Sequence, residues 1–224
     1  MLIPLVPKSF APPDALLFIA PGCPHCATVM QGLNELAKQA LIGKLTVVNV
    51  AAHPEQAAKQ GVRTAPWLRL GPFTLIGAHS LTELRQWVEW ASTAEGAAHY
   101  VEYLLRRGSY QQAVAFIAED TQRLKPLLAV IANPEADLDV RLGVSALLEA
   151  YANTPALQML LPQLAELARD SDYRVRADAC YLLGLTGCAA ARIHVENCRN
   201  DAHEEVREIA AEAMAELEKQ NAQK

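Results

Sequence analysis

The stretch "APGCPHCATVMQGL", residues 20–33, contains two cysteines, Cys23 and Cys26, separated by two residues. A short apolar run, "ALLFIA" at 15–20, precedes the pair and predicts a buried strand. Apolar residues at helical spacing follow it and predict a helix over 24–41. Such a pair could bind a metal, attach a haem, link a small fold or exchange disulfides, and the flanking sequence narrows these alternatives.

Three of the four alternatives fit the sequence poorly. Haem attachment requires a histidine directly after the second cysteine, but Ala27 follows Cys26. A structural zinc site usually takes four ligands from two such pairs, and Cys23, His25 and Cys26 have no second pair. A structural disulfide over so short a loop gains little chain entropy and is easily reduced. We therefore favour disulfide exchange, with no metal and no cofactor.

The position of the pair suits that chemistry. Cys23 would lie just before the first helical turn, where unpaired N–H groups and the helix dipole favour a thiolate. Pro24 lacks the N–H that would be unsatisfied there, and a positively charged His25 would stabilise the thiolate further. Cys26, one turn along, could attack a mixed disulfide formed on Cys23. We predict that Cys23 is the nucleophile, Cys26 the resolving thiol and His25 the tuning residue.

Strand and helix signals alternate up to residue 93 and predict the order β-α-β-α-β-β-α. Ser80 and Glu83 form the pattern of a capping box at the start of the last helix. The other elements after the cysteine pair are the strand "KLTVVNV" (44–50), the short helix "PEQAAKQ" (54–60), and the strands "WLRL" and "FTLIGA" joined by Gly71-Pro72.

Residues 94–224 show helical patterns only, and a fragment recurs within them. Its copies are "DLDVRLGVSALL" (137–148), "DYRVRADACYLL" (172–183) and "HEEVREIAAEAM" (203–214). A repeat of about thirty residues indicates stacked helical pairs that bury their apolar faces against one another. The valine of each Val-Arg pair is expected in the core, and the arginine is expected to bond backbone or acidic groups of the next turn or repeat. The valines are Val140, Val175 and Val206.

Both halves resemble known families. Residues 15–92 resemble a trimmed thioredoxin-fold domain, because "GVRTAPW" (61–67) is similar to the loop in which a cis-proline faces the cysteine pair, and "LIGAHSLTELRQWV" (75–88) is similar to the last strand and helix. Residues 134–218 resemble HEAT repeats. The expected architecture is an α/β thioredoxin-like domain over 1–93 and an all-α HEAT-like repeat domain over 94–224.

The thioredoxin resemblance implies further site residues. Pro66 would follow a cis peptide bond, and Ala65 and Pro66 would present backbone to a substrate peptide by β-type pairing. Pro24 would lie beside the same groove. Trp67 has two open roles, as a core residue or as part of the groove. The Pro24-His25 dipeptide is the one used by disulfide-oxidising members of that family.

The chain departs from the family pattern at one functional point. Thioredoxins carry a buried carboxylate six residues before the first cysteine, and this chain has Leu17 there. The lysine that partners the carboxylate falls near Val47. The internal proton relay is therefore missing, which keeps open a second function: a protein-interaction adaptor whose thioredoxin-like domain is mainly a binding module.

The leading prediction is thiol–disulfide exchange with a protein substrate, the helical repeats recruiting that partner. A net charge of −5 argues against a nucleic-acid partner, and no apolar run is long enough for membrane insertion. The N-terminal stretch 1–15 lacks a basic region and does not predict a signal peptide, so we expect a cytoplasmic protein, or a periplasmic one if a signal has been removed. Cys180 is expected to be a buried, inert thiol, and Cys188 and Cys198 could not pair along one straight helix.

Overall fold

The computed structural model describes residues 11–222, with side chains as far as Lys219. The N-terminal stretch 1–15, for which the sequence predicts no signal peptide, lies mostly outside the described residues. The chain divides into two compact units, one ending at Ala97 and the other beginning at Ala98. The domain boundary predicted between residues 93 and 94 remains a prediction. Within residues 11–222, none of the helices has the length and apolar character needed to cross a membrane.

The first unit contains the predicted order of strands and helices. Its first helix is shorter than the predicted 24–41 at both ends. It begins at Cys26, with His25 as the N-cap, and it ends because the chain leaves the helical conformation after Gln39 and reaches a φ of 57° at Ala40. The elements are β1 (Ala15–Ile19), α1 (Cys26–Lys38), β2 (Leu45–Asn49), α2 (Pro54–Lys59), β3 (Trp67–Leu70), β4 (Phe73–Ile76) and α3 (Leu81–Ala91).

The four strands form one mixed sheet in the order β2-β1-β3-β4. Strand β1 runs parallel to β2 and antiparallel to β3, and β3 and β4 form the predicted hairpin across Gly71-Pro72. In this register Leu17 lies opposite both Val47 of β2 and Leu68 of β3. The central position of β1 buries its apolar run, and its carboxyl end leads directly toward the cysteine pair.

Helices cover both faces of the sheet. Phe18 and Trp67 pack with Ala57 of α2 in one apolar cluster. Because side chains alternate along a strand, the next residues along β3 face the other side, where Phe73 of β4 contacts Trp87 of α3 at a ring-centroid distance of 5.5 Å. Helix α1 packs closely on α3 at Gly32, where an added Cβ would lie 2.7 Å from a Leu84 methyl carbon.

The capping box at the start of α3 is confirmed. The backbone N–H of Glu83 donates to the Ser80 hydroxyl at 3.2 Å, and the Glu83 carboxylate accepts from the Ser80 N–H at 2.7 Å. These bonds satisfy two backbone donors that a helix start leaves unpaired. The Ser80 bonds hold the pKa of Glu83 below its usual range.

The second unit is helical throughout its described residues. Besides its α-helices, the described part of this unit contains two 3₁₀ turns, Thr121–Arg123 and Ala189–Ala191. The helices are α4 (Gly96–Arg106), α5 (Tyr110–Glu119), α6 (Leu124–Ile131), α7 (Leu138–Glu149), α8 (Pro155–Gln158), α9 (Leu161–Leu167), α10 (Tyr173–Leu185), α11 (Arg192–Cys198) and α12 (Glu204–Ala222).

The recurring fragment coincides with three helices of this unit, α7, α10 and α12. Each packs against the helix that precedes it in the pairs α6/α7, α9/α10 and α11/α12. The expected burial of Val140, Val175 and Val206 is confirmed. Asp137 and Asp172 cap α7 and α10 by accepting a backbone N–H two residues on, whereas Asp201 lies before the cap of α12 and accepts from the N–H of His203.

Arginines of the Val-Arg pairs bond the loops that precede their own helices, which differs from the expected bonds to the next turn or repeat. Arg141 donates to the Asn133 carbonyl at 2.7 Å, and Arg207 donates to the Asp201 carbonyl at 2.9 Å. Arg141 also forms an ion pair with Asp178 in α10. These bonds fix the loops at one end of the helical pairs and link one pair to the next.

Candidate functional site

A tight turn places the first cysteine at the end of β1. The backbone N–H of Cys23 donates to the Ala20 carbonyl at 3.3 Å, with Pro21 and Gly22 as the two central residues. Gly22 has a φ of 72°. Proline followed by glycine with positive φ is the pattern of a type II turn. The Pro-Gly dipeptide is a local turn signal that the sequence itself carries at this position.

The two cysteines form a disulfide, with their Cα atoms 5.5 Å apart. Helix α1 begins at Cys26, so the pair follows a strand and opens a helix as predicted. The backbone N–H of Cys26 donates to the Cys23 sulfur at 3.2 Å. This N–H is one of the donors that the first helical turn leaves unpaired, and in the reduced protein the same bond would favour the Cys23 thiolate.

The two sulfur-bearing residues differ in their exposure. Cys26 is buried, with 6% of its surface exposed, whereas Cys23 is half-buried. Pro24 and His25, which lie between them, are both exposed. An incoming thiol therefore meets the Cys23 side of the pair. Among residues 11–222, His25 has no side-chain hydrogen-bond or ion-pair partner, and its predicted tuning role stays a prediction.

The loop before β3 lies beside this end of β1. Phe18 is opposite Trp67 in the antiparallel register, so the residues just beyond Phe18 and just before Trp67 are neighbours at the same edge. The Ala65–Pro66 bond is cis, as predicted. The Pro66 carbonyl accepts the N–H of Gly77 at 3.0 Å, and proline has no N–H to donate. Pro66 therefore has no N–H for the predicted pairing, and its carbonyl already accepts one hydrogen bond.

Ala65 is the residue of this loop that retains free backbone groups. It is only partly buried, and its N–H and carbonyl form no hydrogen bond with any other described residue. The predicted pairing of Ala65 and Pro66 with a substrate backbone stays a prediction.

Trp67 belongs to the core rather than to the surface of this loop. It is 6% exposed, and its ring lies edge-on to Phe18 with 5.5 Å between centroids. Of the two roles left open for Trp67, this burial agrees with the role of a core residue. A ring enclosed in this way has little surface left to contact a substrate. Trp67 is therefore not among the residues that we propose to contact substrate.

The position of the thioredoxin carboxylate is apolar and closed. Leu17 has no exposed surface, and its register neighbour Val47 is 40% exposed at the edge strand. Neither side chain can carry a proton. Across residues 11–222, the structure holds no group of three or more histidine, cysteine or acidic side chains placed to bind a metal ion.

The sequence pattern of the thioredoxin domain family matches residues 16–89. The match covers nearly all of the four strands and most of α3, and it includes the cysteine pair. No curated protein matches the chain. The first unit is therefore a small mixed α/β domain of thioredoxin-like type, whose close cysteine pair is suited to thiol–disulfide chemistry, and a helical region follows it.

Proposed function

We propose that the chain exchanges disulfides with a protein substrate through Cys23 and Cys26. The observation that carries the proposal is the hydrogen bond from the Cys26 N–H to the Cys23 sulfur, combined with the burial of Cys26. The bond favours the thiolate on the sulfur that solvent can reach. The burial of Cys26 limits the contact of its sulfur with other molecules, so that its target is a disulfide formed on Cys23.

In the reducing direction, the Cys23 thiolate attacks one sulfur of a substrate disulfide. A Cys23–substrate disulfide forms, the substrate disulfide breaks, and the second substrate sulfur leaves as a thiolate that takes up a proton. Cys26 then loses its proton and attacks Cys23, which closes the Cys23–Cys26 disulfide and releases the substrate as a dithiol. The oxidising direction is the reverse of these steps.

A substrate segment would bind along the loop before β3. The N–H and carbonyl of Ala65 can pair with an extended peptide as an added strand. The exposed ring of Pro24 offers an apolar contact on the other side of Cys23. His25 would tune the exchange by favouring the thiolate when it is protonated.

We further propose that the helical unit is built of HEAT-like repeats and recruits the partner. Two large apolar side chains one turn apart on α7, Leu138 and Leu142, are 68% and 60% exposed. Adjacent exposed apolar residues on one helix face are typical of protein-binding surfaces. Such recruitment would raise the local concentration of the substrate at Cys23.

Replacing Cys26 with serine tests the exchange. The Cys26→Ser protein should accumulate a mixed disulfide through Cys23, because no internal thiol remains to release it. Substrates trapped in a cell extract are separated on non-reducing gels and identified by mass spectrometry. The Cys23→Ser protein is the control and should trap none of them. Equal trapping by both variants would contradict the assigned roles.

The role of the helical unit is tested in the same trap. The double change Leu138→Ser and Leu142→Ser should reduce the amount of trapped partner, because it removes the exposed apolar pair without touching the cysteines. Ile193, which is 66% exposed elsewhere in the unit, supplies the matched control Ile193→Ser. Unchanged trapping in the double variant would exclude this face as the recruiting surface.

The apolar Leu17 favours a second candidate function, a protein-interaction adaptor. Without a buried carboxylate, exchange lacks an internal proton carrier. If neither the Cys26→Ser protein nor the unmodified chain forms a mixed disulfide, while the unmodified chain still captures a partner under reducing conditions, the adaptor function is the correct one.

A further inference from the structure

Helices α7, α10 and α12 form a row in the helical unit. The Arg141–Asp178 ion pair joins α7 to α10. Helix α10 also packs so closely on α12 that a Cβ added at Gly184 would lie 2.9 Å from the Ala213 backbone. With 3.6 residues per turn, Asp178 and Gly184 lie about 120° apart around α10. Helix α10 is therefore the middle of the row, with α7 on one flank and α12 on the other.

The three helices of this row share one exposed face. On each helix, the sector next to the contacts with its neighbour in the row carries exposed side chains at helical spacing. These side chains are Leu138, Leu142 and Glu149 of α7, Tyr181 of α10, and Glu205 and Glu212 of α12. Because they flank the contacts that hold the row together, they lie on the same side of it, and we call this surface the row face.

One border of the row face is apolar. Leu138 and Leu142 are the exposed pair on α7, and the ring of Tyr181 on α10 is 39% exposed. The cationic side chain of Arg174, in the same sector of α10, already forms ion pairs with two carboxylates. This border therefore offers apolar surface to a partner, and its positive charge is already neutralised.

The opposite border is acidic. Glu205 and Glu212 lie two turns apart on α12 and are exposed, and Glu149 is exposed at the end of α7. Among the described residues, none of these three carboxylates forms an ion pair, since the pairs of α12 use Glu216 and Glu218. The row face therefore carries negative charge that a cationic partner would neutralise, and it would repel an acidic partner.

We propose, on the basis of the proposed recruitment by the helical unit, that the row face binds a basic amphipathic helix of the partner protein. Packed helices lie about 8–10 Å apart, so α7 and α12 are about 16–20 Å apart across α10. A helix with its side chains is about 10–12 Å wide, and one helix along α10 reaches both borders. Its apolar residues pack on Leu138 and Leu142, and its lysines or arginines pair with Glu205 and Glu212.

The test uses the full chain and two fluorescein-labelled peptides of the same leucine, lysine and alanine composition. In the first peptide, leucine and lysine lie on separate sides of a helix, whereas in the second they are scrambled. Fluorescence anisotropy should show that the first binds at least about tenfold more tightly, because only its leucines can be buried together. Added salt should weaken its binding. Equal affinity of the two peptides would overturn the proposal, because attraction between net charges would then account for the binding.

Matched variants locate the binding surface. Glu205→Gln with Glu212→Gln should weaken binding of the first peptide about three- to tenfold and reduce its salt dependence. Glu196→Gln with Glu218→Gln removes the same charge from exposed positions outside the row face and should leave the affinity unchanged. Equal losses in the two double variants would overturn the proposal. Circular dichroism checks that both variants keep their helices.

The peptides contain no cysteine, so their binding does not depend on disulfide exchange. If the Cys26→Ser protein traps no substrate while the first peptide binds with the expected selectivity, the exchange function fails and the row face stands. If the Cys26→Ser protein traps partners while neither peptide binds, the exchange function stands and the basic helix is excluded as the partner.

Discussion

Replacing Arg176 with methionine should destabilise the helical unit selectively. Methionine keeps most of the apolar stem and removes the guanidinium, which binds both oxygens of Asp201 and also donates to the carbonyls of Asp170 and Ser171 at 3.0 Å. The two charged side chains are only 16% and 11% exposed. The substitution therefore leaves Asp201 largely buried without its partner.

The size of the effect follows from that burial. Removing one partner of a buried ion pair costs about 3–5 kcal/mol, and the residual exposure of Asp201 places this case near the lower figure. With a urea dependence of about 2 kcal/mol per molar, a loss of about 3 kcal/mol lowers the unfolding midpoint by roughly 1.5 M. Arg199→Ala is the matched control, because Arg199 and Glu196 form an exposed pair worth about 0–1 kcal/mol.

The chain offers separate signals for its two units. All three tryptophans, Trp67, Trp87 and Trp90, precede residue 98, so their fluorescence reports on the first unit. Circular dichroism reports mainly on the helices of the second. Arg176→Met should lower the urea midpoint seen by circular dichroism. A shift in the urea midpoint no larger than that of Arg199→Ala would refute the assignment of Arg176 to a buried, stabilising ion pair.

The same comparison has a pH dependence. The Arg176 bonds hold the pKa of Asp201 below its usual range, so the carboxylate adds stability that is complete above its unfolded pKa of about 3.9. That contribution is lost as the pH falls through the lower, folded pKa. The difference in midpoint between the unmodified chain and Arg176→Met should therefore be largest at neutral pH and shrink below about pH 4.

Three further outcomes are expected. Gly184→Ala should lower thermal stability by roughly 1–3 kcal/mol, as measured by calorimetry, because the added Cβ would lie 2.9 Å from the backbone of Ala213; no loss would show that α10 and α12 can separate. In the reduced Cys26→Ser protein, Cys23 should still be alkylated at pH values where an ordinary thiol, whose pKa is about 8.5, no longer reacts. A dependence of the alkylation rate on pH like that of an ordinary thiol would contradict the role of the helix start. Ser80→Ala should lower the free energy of unfolding in urea by about 1 kcal/mol at neutral pH. The loss should be smaller in acid, because the lowered pKa of Glu83 adds stability only above the pKa of Glu83 in the unfolded chain. A loss of stability that did not depend on pH would exclude the capping box as its cause.

The architecture could be predicted because its signals are local. The apolar run of β1, the spacing in α1 and the Ser80–Glu83 pattern each involve residues close together in sequence. The burial of Val140, Val175 and Val206 follows from a repeated pattern in the same way. In each case a short window of sequence fixes both the element and its buried face.

The details of the site depend on contacts that no short window contains. The Pro66 carbonyl is occupied by Gly77, eleven residues later in the chain, and this contact leaves Ala65 as the residue with free backbone groups. The burial of Trp67 depends on Phe18 in a neighbouring strand. Pairings of this kind are set by tertiary packing, which a pattern of residue types does not specify.

If the chain exchanges disulfides as proposed, the bond between Gly77 and Pro66 has a consequence for substrate choice. This bond anchors the loop that carries Ala65 to the end of β4. The backbone that we propose to bind the peptide is therefore held in place before any peptide binds. The conformational entropy lost on binding then falls almost entirely on the incoming segment. Segments that are already extended lose little entropy and should bind readily, whereas a disulfide held within a helix must first unwind. The rigidity of this edge would thus select substrates by their local conformation as well as by their cysteines.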